Sequence, residues 1–199
     1  MKIKSIKQAK KLAGEKILLR VDFNVPMEGG VIKDDYKIIS SLPTIRFLLR
    51  YRCKIIIATH LGDPEKIKKI FSTKPIALYL EKLLGRKVKF INNCVGPLVE
   101  KEIAGMRVGE ILVLENLRFY KKEKENDRKF AEKLARAADI YVNDAFGASH
   151  RAHDSVSAIK EYLPAYAGLL LENEILNLNK ALAPKKPLVA VMGGKKNFD

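Results

Sequence analysis

The stretch K-I-L-L-R-V-D-F-N-V-P, from Lys16 to Pro26, decides the fold because a strand pattern in it turns abruptly polar. Most of residues 17–21 are apolar, as expected for a strand that a parallel sheet buries on both faces. Asp22 and Asn24 follow, and Pro26 stops further ladder pairing. Open α/β sheets usually bind ligands at the carboxyl ends of such strands. The segment therefore predicts a central strand with a ligand site at its end.

The same succession of a strand pattern and a polar loop recurs at later places in the chain. These are Lys54 to Thr59 before His60, Glu110 to Asn116 before Arg118, and Asp139 to Asp144 before Ala145, Phe146 and Gly147. Two segments with apolar residues at helical spacing, Ile38 to Arg50 and Lys74 to Leu84, lie between strands. This alternation predicts an α/β fold, a Rossmann-like three-layer domain with a mainly parallel sheet and helices on both faces.

The polar residues that follow these strands are expected to form one site, because the carboxyl ends of parallel strands open on one face of the sheet. They are Arg20, Asp22, Asn24, His60, Arg118, His150 and Arg151. Arginine binds phosphate or carboxylate through its planar fork, and histidine adds donors. Aspartate and asparagine can accept from a hydroxyl group. The set predicts a site for a small phosphorylated hydroxy acid.

Structural explanations stay open for single members of this set. Arg20 and Asp22 could form a buried ion pair that holds the first strand. His60 could be a core or capping residue, and residues 143–144 could be only a turn. The spacing in His150 to His153 resembles that of metal ligands, but no Cys or Glu partner lies in register, so no metal site is predicted.

Bulk composition indicates a globular protein. The chain has 199 residues, of which 47% are hydrophobic and 31% charged. No apolar segment approaches the roughly 20 residues that span a membrane, so no membrane partner is expected. The amino terminus lacks an apolar signal core, which predicts a cytoplasmic location. Two cysteines are too few for a disulfide framework and predict buried free thiols.

The net charge of +15 favours polyanionic partners such as nucleic acid, anionic lipid or phosphorylated metabolites. Many of the lysines, however, lie in helical or loop patterns that are typical of a solvated face. No aromatic-basic repeat accompanies them, so a dedicated nucleic-acid module is not expected. A basic nucleic-acid binder remains an interpretation that the charge alone supports.

The last segment, Pro187 to Lys196, reads as a strand followed by two glycines and two lysines. Gly193 and Gly194 would let the backbone approach phosphates closely, and Lys196 would supply a positive charge. The pattern is not a Walker A motif. By itself it is weak evidence for a nucleotide site.

Eight sequence blocks, in this order, resemble one enzyme family. They are R-V-D-F-N-V-P (20–26), S-L-P-T-I (41–45), H-L-G (60–62), N-C-V-G-P (93–97), L-E-N-L-R (114–118), N-D-A-F-G-A-S-H-R-A-H (143–153), A-G-L-L-L-E (167–172) and M-G-G (192–194). The family they resemble is phosphoglycerate kinase. The blocks are specific, and they extend over essentially the whole chain.

The resemblance implies a glycolytic kinase that transfers a phosphoryl group reversibly between 1,3-bisphosphoglycerate and ADP, giving 3-phosphoglycerate and ATP, with Mg2+. Family members are monomers of two domains that close like a hinge. In this chain the resemblance implies a phosphoglycerate-binding domain over residues 1–166 and an interdomain helix over residues 167–184. Residues 185–199 would then be the first strand and the start of the phosphate loop of the nucleotide-binding domain.

The resemblance also implies roles for individual residues. Asp22 and Asn24 would hold the glycerate part of the substrate, while His60, Arg118 and Arg151 would clamp its phosphate. The full set implied to bind substrate is Arg20, Asp22, Asn24, Lys37, His60, Leu61, Gly62, Asp63, Arg118, His150 and Arg151. Lys37, Arg118 and Arg151 would be catalytic, and Gly193, Gly194 and Lys196 would bind the nucleotide.

Two residues depart from the family's pattern at this site. Asp63 follows His-Leu-Gly where the family has an arginine, so an anion replaces a phosphate-clamping cation. Lys37 stands in place of the arginine thought to stabilise the transferring phosphoryl group, and it lacks the guanidinium fork.

Since nearly the whole nucleotide domain would be missing from these residues, we expect the chain to be catalytically incomplete alone. The alternative is a half-length, non-catalytic paralogue that acts as a phosphoglycerate-binding or interaction protein. The apolar strand Pro187 to Met192 would also lack its sheet, which predicts self-association through this segment.

Overall fold

A computed structural model describes residues 3–64, 69–149, 153, 155–183 and 189 of the chain. Its strands are β1 (Lys16–Arg20), β2 (Met27–Glu28), β3 (Val31–Ile32), β4 (Lys54–Ala58), β5 (Val88–Ile91), β6 (Ile111–Leu114), β7 (Ile140–Asn143) and β8 (Ala165–Ala167). Six of these form a parallel sheet in the order β5-β6-β4-β1-β7-β8. The parallel α/β sheet predicted from the sequence is therefore confirmed, with β1 between β4 and β7.

Helices cover both faces of this sheet. They are α1 (Tyr36–Arg50), α2 (Lys74–Leu84), α3 (Pro97–Ala104), α4 (Lys121–Glu125), α5 (Arg128–Ala135) and α6 (Leu169–Leu182). Ile17 and Leu19 of β1 pack with α1 and α2, whereas Leu18 between them packs with α3 and α5 on the other face. Each such side chain contributes roughly 1.5–3 kcal/mol on full burial. The three-layer arrangement is confirmed.

A short hairpin separates β1 from α1. Strands β2 and β3 pair in antiparallel fashion around Gly29 and Gly30, whose φ angles of 58° and 80° lie in the left-handed region. This hairpin follows Pro26 and leads the chain from the carboxyl end of β1 to the first turn of α1. That turn carries Lys37 and returns it to the same edge of the sheet.

The carboxyl-terminal part described consists of β8 and α6. The predicted boundary between residues 166 and 167 falls inside β8, and the division into domains stays a prediction. Helix α6 is held to the sheet domain at its first turn, where the backbone amide of Leu169 donates to Thr44 Oγ1 at 3.0 Å. Residues 185–199 lie outside the described residues apart from Val189.

Neither a membrane-spanning helix nor a cluster of metal ligands occurs among the described residues. No helix among them combines the length and the apolar character needed to cross a bilayer. The same residues contain no group of three or more His, Cys, Asp or Glu side chains arranged to hold a metal ion.

Candidate functional site

The candidate site lies where β1, β4 and β6 end, and backbone hydrogen bonds hold its loops together. Val21 donates to the carbonyl of Ala58 at 3.1 Å, and Leu117 donates to the carbonyl of Thr59 at 3.1 Å. Phe23 donates to Thr59 Oγ1 at 2.9 Å. The loops therefore continue the register of the sheet beyond its last paired residues, and their side chains are fixed relative to one another.

Arg20, the last residue of β1, is only 1% exposed and uses all three guanidinium nitrogens. Nε donates to Ser155 Oγ at 2.9 Å, Nη1 donates to the carbonyl of Val21, and Nη2 lies 3.0 Å from Nδ1 of His60. The alternative of a buried Arg20–Asp22 pair is therefore wrong. Arg20 lies beneath His60 and supports it.

Asp22 is the acidic centre of the site. Its Oδ2 accepts from Lys37 Nζ at 3.0 Å, and its Oδ1 lies 4.0 Å from His60 Nε2. Asn24 turns its Oδ1 to the backbone amide of Gly62, which donates at 2.8 Å. The side-chain amide nitrogen of Asn24 is then the group that can meet an anionic ligand. These contacts bring five residues predicted from the sequence to one place.

The conformation of the loop at Leu61 and Gly62 depends on a glycine within it and on a buried asparagine beside it. Gly62 has a φ of 61°, and a Cβ there would collide with the ring of Phe71. The side chain of Asn116, which is fully buried, bonds both backbone groups of Leu61, accepting at 3.2 Å and donating at 2.7 Å. Its Oδ1 also accepts from the backbone amide of Arg118 at 3.0 Å. Asn116 thus fixes this loop against the start of the next one.

Arg118 and Asp63 lie together at the rim. Arg118 is 8% exposed, and its Nη1 donates to the carbonyl of Gly62 at 2.6 Å and lies 3.9 Å from Asp63 Oδ1. Lys124 forms a second ion pair with the same carboxylate. The Asp63 side chain is 60% exposed. A carboxylate therefore occupies the neighbourhood of two cations that could otherwise meet a phosphate.

A cavity of about 220 Å³ adjoins the site between the first turns of α1 and α6. It is lined by Asp22, Tyr36, Lys37, Ser40, Asp144, Phe146, Gly147, Leu170 and Glu174. Gly147 is needed where the chain passes the site, because a Cβ there would lie 2.7 Å from Asp22 Oδ2. The cavity is small, but it opens beside the ion pair of Asp22 and Lys37.

Asp144 is more than a turn residue. Its Oδ1 accepts from the backbone amides of Leu170 at 3.0 Å and Leu171 at 3.3 Å, so it caps α6 from another element. Burial raises the pKa of this carboxyl from 3.8 to about 6, against the opposing effect of its hydrogen bonds with Thr44 and the α6 amides. The Asp144 carboxyl therefore connects the sheet domain to α6, and its burial there makes its ionisation less favourable than in water.

Five predicted residues lie outside the described part of the chain: His150, Arg151, Gly193, Gly194 and Lys196. Their roles stay predictions. Asn116, Glu123 and Ser155 contribute to the site without having been singled out from the sequence, and Asp144 is interpreted there only as part of a turn. Of these, Asn116 and Asp144 are the last residues of two predicted strands, and that position is the signal that could have found them. Glu123 is 1% exposed, although it lies in the charged run K-K-E-K-E that is typical of a solvated surface.

Fold and site together define a class of protein. An open parallel α/β sheet presents arginine, histidine and lysine donors with one central carboxylate at the carboxyl ends of its strands, as expected for a protein that binds a small anionic metabolite. The family model of phosphoglycerate kinase matches residues 6–199. The chain therefore belongs to the phosphoglycerate kinase family.

Similar proteins agree with this assignment. The chain is 48% identical over 189 residues to a phosphoglycerate kinase of Dictyoglomus turgidum and 51% identical over 190 residues to one of Moorella thermoacetica. These matches include 94% of this chain but 48% of each relative, so the chain spans about half the length of the curated relatives it matches.

Solved structures of the family share the fold. The phosphoglycerate kinase of Coxiella burnetii has a TM-score of 0.86 at 37% identity, over 98% of this chain and 49% of that one. The enzyme of Pyrococcus horikoshii has a TM-score of 0.85 at 32% identity, over 93% and 47% of the two chains. In each case the similarity extends over nearly all of the present chain and about half of its relative.

Proposed function

We propose that this chain provides the phosphoglycerate-binding half of a phosphoglycerate kinase. The reaction is the reversible transfer of a phosphoryl group between 1,3-bisphosphoglycerate and ADP, giving 3-phosphoglycerate and ATP, as in glycolysis. The observation that carries the proposal is the convergence of Arg118, His60, Lys37 and Asp22 at one edge of the sheet. Cations there suit a phosphate, and the carboxylate suits a hydroxyl group.

In this proposal the chain's own residues position the acceptor and neutralise its charge. Phosphoryl transfer requires little else from a protein. No side chain has to remove a proton, because the attacking group of 3-phosphoglycerate is already a carboxylate. Asp22 therefore orients the substrate and does not act as a base. Lys37 must leave Asp22 before it can reach the transferring group.

Nucleotide and magnesium belong mainly to residues outside this site. Magnesium on the nucleotide would supply charge neutralisation, but the described edge is rich in cationic donors and does not fit a metal ion. Gly193, Gly194 and Lys196 would contribute to nucleotide binding. A cytoplasmic location and a monomeric complete enzyme are part of the same proposal, and the chain alone would be catalytically incomplete.

A non-catalytic phosphoglycerate-binding or interaction protein is the second candidate. It is favoured by the engagement of Asp63 with Arg118 and Lys124, because this contact opposes the binding of a phosphate. Self-association through Pro187 to Met192 concerns residues of which only Val189 is described, and it stays a prediction.

Calorimetric titration of the chain with 3-phosphoglycerate and, separately, with magnesium ATP tests the proposal. Binding of phosphoglycerate alone would support an acceptor-binding half, whereas binding of neither ligand would overturn it. Arg118→Lys keeps the charge but loses the fork, so we expect the dissociation constant to rise about tenfold. Arg136→Lys, at the exposed residue that caps the carboxyl end of α5, is the matched control and should leave affinity unchanged.

A further inference from the structure

A chain of buried hydrogen bonds runs beneath the site and connects α4 with β1. Ser155 Oγ donates to Glu123 Oε1 at 2.5 Å, and the Ser155 amide donates to Glu123 Oε2 at 3.1 Å. The same Oγ accepts from Arg20 Nε at 2.9 Å. All three side chains belong to residues that are at most 1% exposed. A buried cation and a buried anion are therefore bridged by one hydroxyl group.

Side-chain chemistry fixes which group donates and which accepts in each of these hydrogen bonds. A guanidinium group has donors only and a carboxylate has acceptors only. The Ser155 hydroxyl must therefore give its proton to Glu123 and offer a lone pair to Arg20. Breaking such a buried arrangement leaves an uncompensated charge, which is strongly unfavourable. The orientation of Arg20 is consequently set by Ser155 and Glu123, which do not reach the ligand edge.

Arg20 in turn determines which ring nitrogen of His60 carries a proton. Its Nη2 lies 3.0 Å from His60 Nδ1, and since arginine cannot accept, Nδ1 must provide the lone pair. We propose that Arg20, held by Ser155 and Glu123, fixes His60 in the tautomer that carries its proton on Nε2. His60 then presents a donor towards the ligand side, where Nε2 lies 4.0 Å from Asp22 Oδ1.

This inference deepens the proposed function, on which its ligand part rests. A histidine with a proton on Nε2 can donate to a carboxylate or phosphate oxygen, whereas the other tautomer would present a lone pair and repel it. Ser155 and Glu123 are thus positioning residues for anion binding, although neither touches the ligand. Their effect passes through Arg20 to one ring nitrogen.

The first test is made on the ligand-free chain and does not depend on any substrate. Long-range proton–nitrogen NMR of 15N-labelled protein reports which ring nitrogens carry protons, and the His60→Gln spectrum identifies the His60 signals among the 3 histidines. We expect a protonated Nε2 and an unprotonated Nδ1. A proton on Nδ1, alone or in a mixture, would overturn the proposal.

The second test separates positioning from folding. Ser155→Ala removes the bridge, so we expect mixed His60 tautomers and a dissociation constant for 3-phosphoglycerate raised roughly tenfold. Ser155→Thr keeps the hydroxyl and should restore both. Ser157→Ala, two residues away and without a side-chain hydrogen bond among the described residues, is the matched control. An unchanged tautomer in Ser155→Ala would overturn the positioning role.

Replacement of His60 itself tests the ligand part. Glutamine can place its amide nitrogen near the position of Nε2, while asparagine reaches only the position of Nδ1. We expect His60→Gln to bind 3-phosphoglycerate at least about fivefold more tightly than His60→Asn. If neither variant nor the unmodified chain binds phosphoglycerate, the proposed function fails, and the tautomer measurement still decides the state of the ring. Equal affinities would overturn the donor role of Nε2.

Discussion

Replacement of Asp144 by asparagine should change how stability depends on pH. Asparagine keeps an acceptor for the amides of Leu170 and Leu171 but cannot ionise. In the unmodified chain, burial raises the pKa of Asp144 from 3.8 to about 6. The unfolded chain therefore loses this proton at lower pH than the folded chain does. Stability that the protonated carboxyl contributes is complete below about pH 4 and is lost as pH rises through about 6.

The size of this effect follows from the two pKa values. The interval between 3.8 and about 6 corresponds to about 3 kcal/mol at 1.36 kcal/mol for each pH unit. Integration over the accessible range places about 2 kcal/mol of this between about pH 4.5 and about pH 7.5. The free energy of unfolding of Asp144→Asn, relative to the unmodified chain, should rise by that amount across the range. A constant offset between the two proteins is also expected, because the new amide group needs its own partners.

Urea denaturation of both proteins, followed by circular dichroism at several pH values, measures this difference. Glu28→Gln removes an exposed carboxylate from the β2–β3 hairpin and controls for the loss of one negative charge. A difference between Asp144→Asn and the unmodified chain that stays constant with pH would refute the reasoning. So would a difference that falls as pH rises, because the carboxylate would then be stabilised by its helix cap.

Three further predictions concern single contacts. Asp63→Asn should tighten 3-phosphoglycerate binding about threefold at low salt and less at high salt, since an exposed ion pair contributes at most about 1 kcal/mol; calorimetry that shows weaker binding would contradict this. Gly168→Ala would place a methyl group against the Asp144 carboxyl, and thermal unfolding should show a stability lower by about 1–3 kcal/mol. Gly105→Ala is the control, because the nearest atom to the new methyl group is 3.6 Å away, and it should not lower stability. Cys53 and Cys94 are buried, and burial raises the pKa of Cys53 to about 11 and that of Cys94 well above its usual range. Neither thiol should react quickly with Ellman's reagent before unfolding, and a fast phase in the native chain would show that one is accessible.

The central part of the fold could be predicted because β1, β4, β6 and β7 are buried on both faces. In the sequence such strands are short, nearly continuous apolar runs, a pattern typical of strands that a parallel sheet buries on both faces. The edge strands could not be predicted in the same way. β5 is mostly half-buried and includes Lys89, and β8 has only three residues, so neither carries a clear pattern. Their places depend on pairing with the strands beside them.

Convergence of the site could be predicted from topology, but the partners of each side chain could not. Position at the end of a strand brings Arg20 and His60 to one edge, whatever their neighbours. Glu123, and not Asp22, compensates the charge of Arg20. This partner depends on tertiary packing, because the bridging residue Ser155 is 135 residues from Arg20 in sequence. Glu123 looked like a surface residue because lysines surround it. Only the fold shows that α4 turns this one carboxylate inwards.

The charges of the site fall into two groups that should respond differently to a ligand. Lys37–Asp22 and Lys124–Asp63 are partly exposed pairs, each worth at most about 1 kcal/mol, and a bound phosphate can replace their carboxylates at little cost. Arg20 and Glu123 are fully buried and are joined through Ser155, and removing either charge would cost about 3–5 kcal/mol. Rearrangement on binding should therefore be confined to these partly exposed pairs, where Lys37 exchanges Asp22 for the ligand. The buried pair stays fixed, and with it the position of the His60 ring that Arg20 contacts.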